Sequence, residues 1–568
     1  MRIGLILGVV AVYMCLVGLV ETFKARWIIS DVIGLGQLLL IMAGIVAGYL
    51  AARQAAGAGG VMAVAQGAVA GVIVGASLAA LLVVGHLVDL RVMFVNASPA
   101  LYSLLAFGRD TAAGSRLLLI AGAAAGGIGG LLFLIPTGVR RNLIWGFTAA
   151  LILSLFQDLL QLLLQTPGLP LTVRRFLFAT NGPSLAGAAT VCVLTWVLVA
   201  LRSWRGAAVR GRIAALPPAG RRGLRLMGLA LGLAGLLLLP TAGGSFVSLV
   251  MVTTGLYTLM GLGLNLEVGF AGLLDLGFVA FFAIGAYTVG LLTSHSQLGL
   301  VHWSFWTAVP VAVLVSVIAG ILFGIPVLRV RGDYLAIATL GLGEITRLLV
   351  LSDALSPWLG GSFGILLIPK PVLFGLELSA PGQLYYVTLV FSALAAYVAW
   401  RLQDSRLGRA WMAIREDEDV AQAIGIDLVG TKLLAYGLGA GFAGIGGAIF
   451  AVLLGSIFPH SFQLLISINV LVLIILGGMG SLWGVVVGAV TLVGLPELLR
   501  EFGEYRFLVY GVVLVAMMLY RPEGLVPAAA RKRELHEETT MGDEPVDSAP
   551  AAIAGVAAGG EERAVGEG

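Results

Sequence analysis

The chain has 568 residues, of which 59% are hydrophobic and 11% charged, with a mean hydropathy of +1.02. A soluble domain carries roughly 25% charged residues, so a soluble globular protein is excluded. The formal net charge of +4 comes largely from loop arginines and bears on membrane orientation, not on nucleic acid.

Apolar blocks of about 20 residues recur along nearly the whole length, each enough to cross a hydrocarbon core of roughly 30 Å. They are apolar all round instead of alternating, which indicates helices and not a β-barrel. The expected fold is an all-α, polytopic transmembrane helical bundle of about 16 spans. Six spans lie at about 2–20, 33–51, 61–84, 116–137, 143–164 and 184–201. The first has no A-x-A-like cleavage site and is followed by Glu21, Lys24 and Arg26, so it reads as an uncleaved helix. Cys15 and Cys192 sit inside apolar blocks and read as small packing residues.

A loop from Arg202 to Arg225 follows, with seven arginines, no acid, and Pro217–Pro218. We place a boundary there, giving an N-terminal six-helix module over 1–225 for which the sequence suggests no role. Ten more spans lie at about 226–242, 246–266, 276–293, 305–327, 334–352, 384–400, 432–454, 464–478, 482–498 and 505–520. Arginine retention puts this loop, Arg53, Arg140–Arg141, Arg329, Arg331, the stretch Arg401–Arg415 and Arg521 on the cytoplasmic side, with Arg174 and Arg175 against the trend. Both termini are then cytoplasmic. The second module covers 226–527. Residues 528–568, with nine acids from Arg531 onward, are expected to be a disordered tail.

Three polar features interrupt the second module. Gly269, Gly272 and Gly277 break an apolar stretch that also holds Asn265, Glu267 and Asp275. Such a break lines a cavity or packs in protein, and close helix packing through small residues is the other reading. Glu344 and Arg347, three residues apart, can neutralise each other on one helical face, either as a functional pair or as one that shapes the bundle. Arg331 and Asp333 can pair at the cytoplasmic interface.

The third feature is the charged stretch Arg401–Thr431, which must lie outside the bilayer because buried charges would each cost a few kcal/mol. Leu407, Trp411, Ile414 and Ala421 to Ile424 can form the apolar side of a short helix with Arg415, Glu416 and Asp417 exposed. Such a helix suits docking into a groove of a separate protein; a solvated loop with i,i+4 charge pairs is the alternative.

Asp419-Val420-Ala421 followed by Gly425 resembles, with Asp for Glu and Val for Ala, the E-A-A-x-x-x-G coupling motif of ABC importer permeases. The string from Gly408 to Ile426 is similar to the cytoplasmic loop of the M-type permease subunit of branched-chain amino acid importers. Gly263-Leu264-Asn265 running on to Gly285-Ala286-Tyr287, Pro326 to Gly341 with Glu344 and Arg347, Leu476 to Ser481, and Arg521-Pro522-Glu523-Gly524-Leu525 resemble further features of that family, in the same order. The matches cover about 226–527.

The resemblance implies that Arg406, Gly408, Arg409, Arg415, Glu416, Asp417, Glu418, Asp419, Ala421 and Gly425 couple to an ATPase. It implies substrate-pathway roles for Asn265, Gly269, Gly272, Asp275, Glu344, Gly360, Gly361 and Ser362. Expected partners are ABC ATPase subunits, a sister H-type permease, an extracytoplasmic solute-binding protein and an amino acid substrate, in a bacterial plasma membrane. Two outer-face positions depart from the family: Phe363 stands for a usual Asn and His460 for a commonly acidic residue.

No Gly-Lys dipeptide occurs, so the P-loop pattern is absent and ATP would be bound by a partner; no cofactor, metal cluster or catalytic signature is expected. An ion-coupled secondary transporter of a small polar solute, using Asp275 and the Glu344–Arg347 pair, is the other functional reading.

Overall fold

A computed structural model describes residues 1–527 except 24–26, 30–32, 56–58, 156, 158–159, 161–175, 179–182, 198, 200–217, 331 and 504. Arg174, Arg175, most of the arginine-rich loop, Arg331 with its expected partnership to Asp333, and the tail 528–568 lie outside the described residues. Among the described residues, nine helices are long and apolar enough to cross a membrane, and six shorter apolar helices accompany them. With Thr137–Leu155, these helices coincide with the predicted apolar blocks as far as the blocks are described. The protein is an all-α, multi-pass membrane protein.

The chain divides into two compact units, Met1–Gly244 with Pro496–Val509, and Ser245–Leu495 with the residues from Tyr510 on. The expected boundary near 225 falls inside a helix, Pro218–Leu264, in which the two spans 226–242 and 246–266 run together. That helix is broken at Gly244, whose φ of 68° departs from helical geometry, and the units part at the break.

In the first unit, α1 (Arg2–Leu16), α2 (Leu35–Gln54), α3 (Gly60–Leu87), α4 (Pro99–Leu105) and α5 (Thr111–Leu134) form the core. The first predicted span stops early, at Leu16, before a turn through Gly18. Gly67, Gly71 and Gly75 recur every fourth residue and so line one face of α3. Against them run Gly122 and Gly126 of α5, with backbone on backbone: a Cβ on Gly126 would meet the Gly67 carbonyl and lie 2.8 Å from the Gly71 Cα. Small residues let membrane helices approach this closely, where dispersion takes over from the missing hydrophobic drive.

The second unit contains α6 (Val279–Thr293), α7 (Phe305–Val327), α8 (Asp333–Leu351), α9 (Pro381–Gln403), α10 (Arg406–Glu416), α11 (Glu418–Ala423), α12 (Leu428–Leu454), α13 (Leu464–Gly477) and α14 (Leu482–Leu498), the last running into the first unit. The central member is α12, packed against α6 and α7. At about 1.5 Å per residue its 27 residues span about 40 Å, and its two ends hold two different groups of candidate residues.

Candidate functional site

Local sequence chemistry builds the charged arm before α12. Ser405 caps α10 by accepting from the Gly408 amide at 3.2 Å. Asp417 stops α10 and caps α11, its Oδ1 accepting from the amides of Asp419 and Val420 at 2.9 and 3.0 Å. Asp427 caps α12 through the Gly430 amide at 3.2 Å. Asp and Ser at these positions satisfy amides that a helix start leaves without partners. The arm is therefore two helices joined at Asp417, not the single short helix expected.

Gly425 ends α11. Its amide donates to the Gln422 carbonyl at 3.0 Å and the Ile426 amide to the Ala421 carbonyl at 3.1 Å, with Gly425 at φ 92°. This is the paired closure of a Schellman turn, which needs a left-handed residue just past the helix. Gly425 thus has a backbone reason to be there.

The arm is rooted in the bundle. Trp411 is fully buried and its Nε1 donates to the Thr431 carbonyl at 2.8 Å; Ile414 and Ala421 are buried beside it. Lys432 of α12, 6% exposed, donates to Glu418 at 2.5 Å, at a cleft of about 380 Å³ that Arg329 also lines. Two orientations differ from expectation. The expected apolar side is split: Trp411, Ile414 and Ala421 turn into the bundle, whereas Leu407 and Ile424 (69% exposed) stay outside, with Val420 (57% exposed) beside Ile424. Arg415 is half-buried, not exposed: its guanidinium donates to the Gly269 carbonyl at 2.8 Å. Once Trp411 is packed inward, Arg415, four residues on, shares its face. Arg406, Arg409, Glu416, Asp417 and Asp419 remain on the surface.

Gly269 belongs to a π-helical turn, Asn265–Phe270, that ends the Pro218–Leu264 helix. Four of the sequence motifs meet around it. The Asn265 Oδ1 accepts from the Gly480 amide at 2.9 Å, joining the Leu476–Ser481 loop. That loop holds the segment after the last helix, the Leu525 and Val526 amides donating to the carbonyls of Leu476 and Gly477. Beyond the turn, the Leu276 amide donates to Thr339 Oγ1 of α8 at 2.9 Å, and the Val279 amide to Ser467 of α13 at 2.9 Å. Asp275 turns back onto the Gly277 amide at 2.6 Å.

Asn265, Glu267 and Asp275 are enclosed, each at most 1% exposed, and Glu267, Thr339 and Tyr436 surround the Asp275 carboxyl. Thr339, Tyr436 and Lys432 were not singled out in the sequence, while Glu267 was noted only as a polar member of the broken stretch and Trp411 only as part of the arm's apolar side. Lys432 carried a usable signal, a cation at the start of an apolar span; Thr339 and Tyr436 carried none, since each is common in such a helix.

The remaining candidates lie elsewhere. Glu344 and Arg347 do pair, Arg347 Nε donating to both carboxylate oxygens at 3.0 and 3.1 Å, with the Glu344 side chain 41% exposed. Gly360, Gly361 and Ser362 sit at the far end of α12. There Ile365 exchanges backbone hydrogen bonds with Ile457 at 2.9 and 2.8 Å, and Lys370 donates to the terminal α12 carbonyls of Val452 and Leu453 at 2.6 and 2.9 Å. The loops bearing the two departures, Phe363 (83% exposed) and His460, are thereby tied together.

Residues 246–520 match the family described as branched-chain amino acid transport system / permease component. The high-affinity branched-chain amino acid transport system permease protein LivM of Salmonella typhimurium is 43% identical over 318 residues, 52% of this chain and 73% of that protein. The chain belongs to the branched-chain amino acid transport permease family. A probable LivM of Methanocaldococcus jannaschii is 23% identical, over 50% of this chain and 93% of that protein. The autoinducer 2 import system permease LsrC of Salmonella paratyphi B is 26% identical over 38% of this chain and 63% of that one. No solved structure matches. As a family member the chain is a multi-pass transport subunit, and the arm, the π-turn and the glycine loop all fall in the matched region.

Proposed function

We propose that this chain forms the translocation path of an ATP-driven importer for branched-chain or related amino acids. A separate ATPase presses on the α10–α11 arm, a sister H-type permease completes the path, and an extracytoplasmic binding protein delivers the solute. The chain has no ATPase site of its own. Both termini and the arm face the cytoplasm. Residues 226–527 act as the permease and 1–225 as an additional membrane module.

The observation that carries this reading is the arm itself: two capped helices with an apolar outward tip at Val420 and Ile424, rooted through Trp411 in the central helix and through Arg415 in the π-turn. A docked motor would bias a two-state gate through those roots. Asn265, Gly269, Gly272 and Asp275 form the inner end of the path, while Gly360, Gly361 and Ser362 belong to its outer mouth, with Glu344 on the path between them.

The test is purification from the native membrane followed by leucine uptake in proteoliposomes. An ATPase and a second permease should co-purify, and uptake should require ATP and the binding protein. Uptake by this chain alone, driven by an ion gradient, would refute the proposal.

A further inference from the structure

We infer that Arg415 is the positioning residue that carries the motor's movement from the arm into the translocation path, with Gly272 as its seat. The inference rests on the proposed function. Three observations lead to it.

First, the Arg415 guanidinium reaches 146 residues back along the chain to the carbonyl of Gly269, at 2.8 Å. That carbonyl ends a π-helical turn, where the regular ladder is interrupted and carbonyls look outside the helix for donors. Second, the stem of Arg415 lies on Gly272. A Cβ there would stand 3.1 Å from the Arg415 Cγ and 3.3 Å from its Cα, and Gly272 is at φ 71°, a backbone state that other residues rarely adopt. Stem and head of one side chain thus hold two points of the same broken segment. Third, Trp411 is fully buried four residues before Arg415, so α10 has a fixed point one turn from the strut, while the exposed tip at Val420–Ile424 lies on the following helix.

A force applied at the tip then moves Arg415 about the Trp411 anchor, and Arg415 displaces the turn that carries Asn265, Glu267 and the approach to Asp275. Since Arg415 faces the bundle and not the exposed tip, its role is separable from docking. A charged, forked donor suits it, because hydrogen bonds from ionised groups are stronger and more directional than neutral ones.

The experiment uses the complete importer in proteoliposomes and reads leucine imported per ATP hydrolysed, with Arg415→Ala and Arg415→Lys beside the wild type. Arg415→Ala should keep the ATPase in the purified complex at wild-type stoichiometry and lower the leucine-to-ATP ratio at least tenfold. Arg415→Lys, which still donates to the Gly269 carbonyl, should recover the ratio to within about threefold of wild type. A wild-type ratio for Arg415→Ala would overturn the inference. So would loss of the ATPase from that variant, which would make Arg415 a docking contact. If Arg415→Ala does not accumulate, Arg415→Lys decides: near-wild-type coupling supports the strut, and a tenfold loss removes it. Failure of the broader reading is distinct, for the wild-type chain would then purify without any ATPase.

Discussion

The two units use the same glycine-rich helices for different ends. In the first, α3 and α5 touch backbone to backbone along Gly67, Gly71, Gly122 and Gly126, and the described residues bury almost no polar side chains beyond Ser154. In the second, the helices around α12 also lie close, yet they enclose Asn265, Glu267, Asp275, Thr339 and Ser467, and half-enclose the salt bridge of Lys432 with Glu418. Buried polar groups cost free energy unless partnered. A purely apolar glycine seam suits a static scaffold, and a polar seam suits a place where partners are exchanged.

The comparison predicts that the second unit is most sensitive to removal of an anchor. Trp411→Ala deletes a fully buried aromatic and the indole hydrogen bond to the Thr431 carbonyl, which should cost about 3–5 kcal/mol. Thermal unfolding in detergent measures it, and the arm should become cleavable by protease. An unchanged melting temperature would mean the arm is not rooted where the geometry places it.

The first unit should instead be sensitive to addition. Gly126→Val forces apart α3 and α5, an overpacking cost of about 1–3 kcal/mol or more. Leucine import per inserted molecule should be unchanged. A loss of import would show that the N-terminal unit participates in transport and would erase the contrast.

Smaller in stability but large in function is Gly425→Asp. No side chain obstructs a Cβ there, so the cost is the left-handed backbone alone, roughly 1–2 kcal/mol. Insertion should be normal, while import falls more than tenfold because the α11 closure, and with it the tip at Val420 and Ile424, is displaced. Reversing charge across Arg415 to Asp419 should act alike. Normal import in either variant would sink the coupling assignment.

These sites were legible to different degrees. The spans were readable because apolar blocks without alternation leave the chain no other membrane solution, and the arm because Ser405, Asp417 and Asp427 are residues that start helices. The break at Gly244 was not: a glycine in an apolar run does not announce its φ. Arg415 was misread because charge implies solvent until a distant carbonyl is known to need a donor. The convergence of Asn265, Thr339, Arg415 and Gly480 was invisible for the same reason, since hydropathy reports which positions are apolar and not which turns meet.

The smallest predicted effect lies at the opposite end of α12. Lys370→Met removes the ammonium that donates to the carbonyls of Val452 and Leu453, where a cation also meets the negative end of the helix dipole, worth about 0.3–1 kcal/mol. Burial draws this lysine below its usual 10.5, with Glu377 opposing. The unfolded chain therefore holds the proton more tightly than the folded one, and the lysine's contribution is fully present above 10.5 and declines as pH falls through the folded value. The gap in melting temperature between wild type and Lys370→Met should accordingly widen as pH is raised toward 10.5. A gap that narrows instead would mean that the charged cap outweighs burial there, and that the outer end of α12 is held electrostatically, as Lys432 with Glu418 holds the inner one.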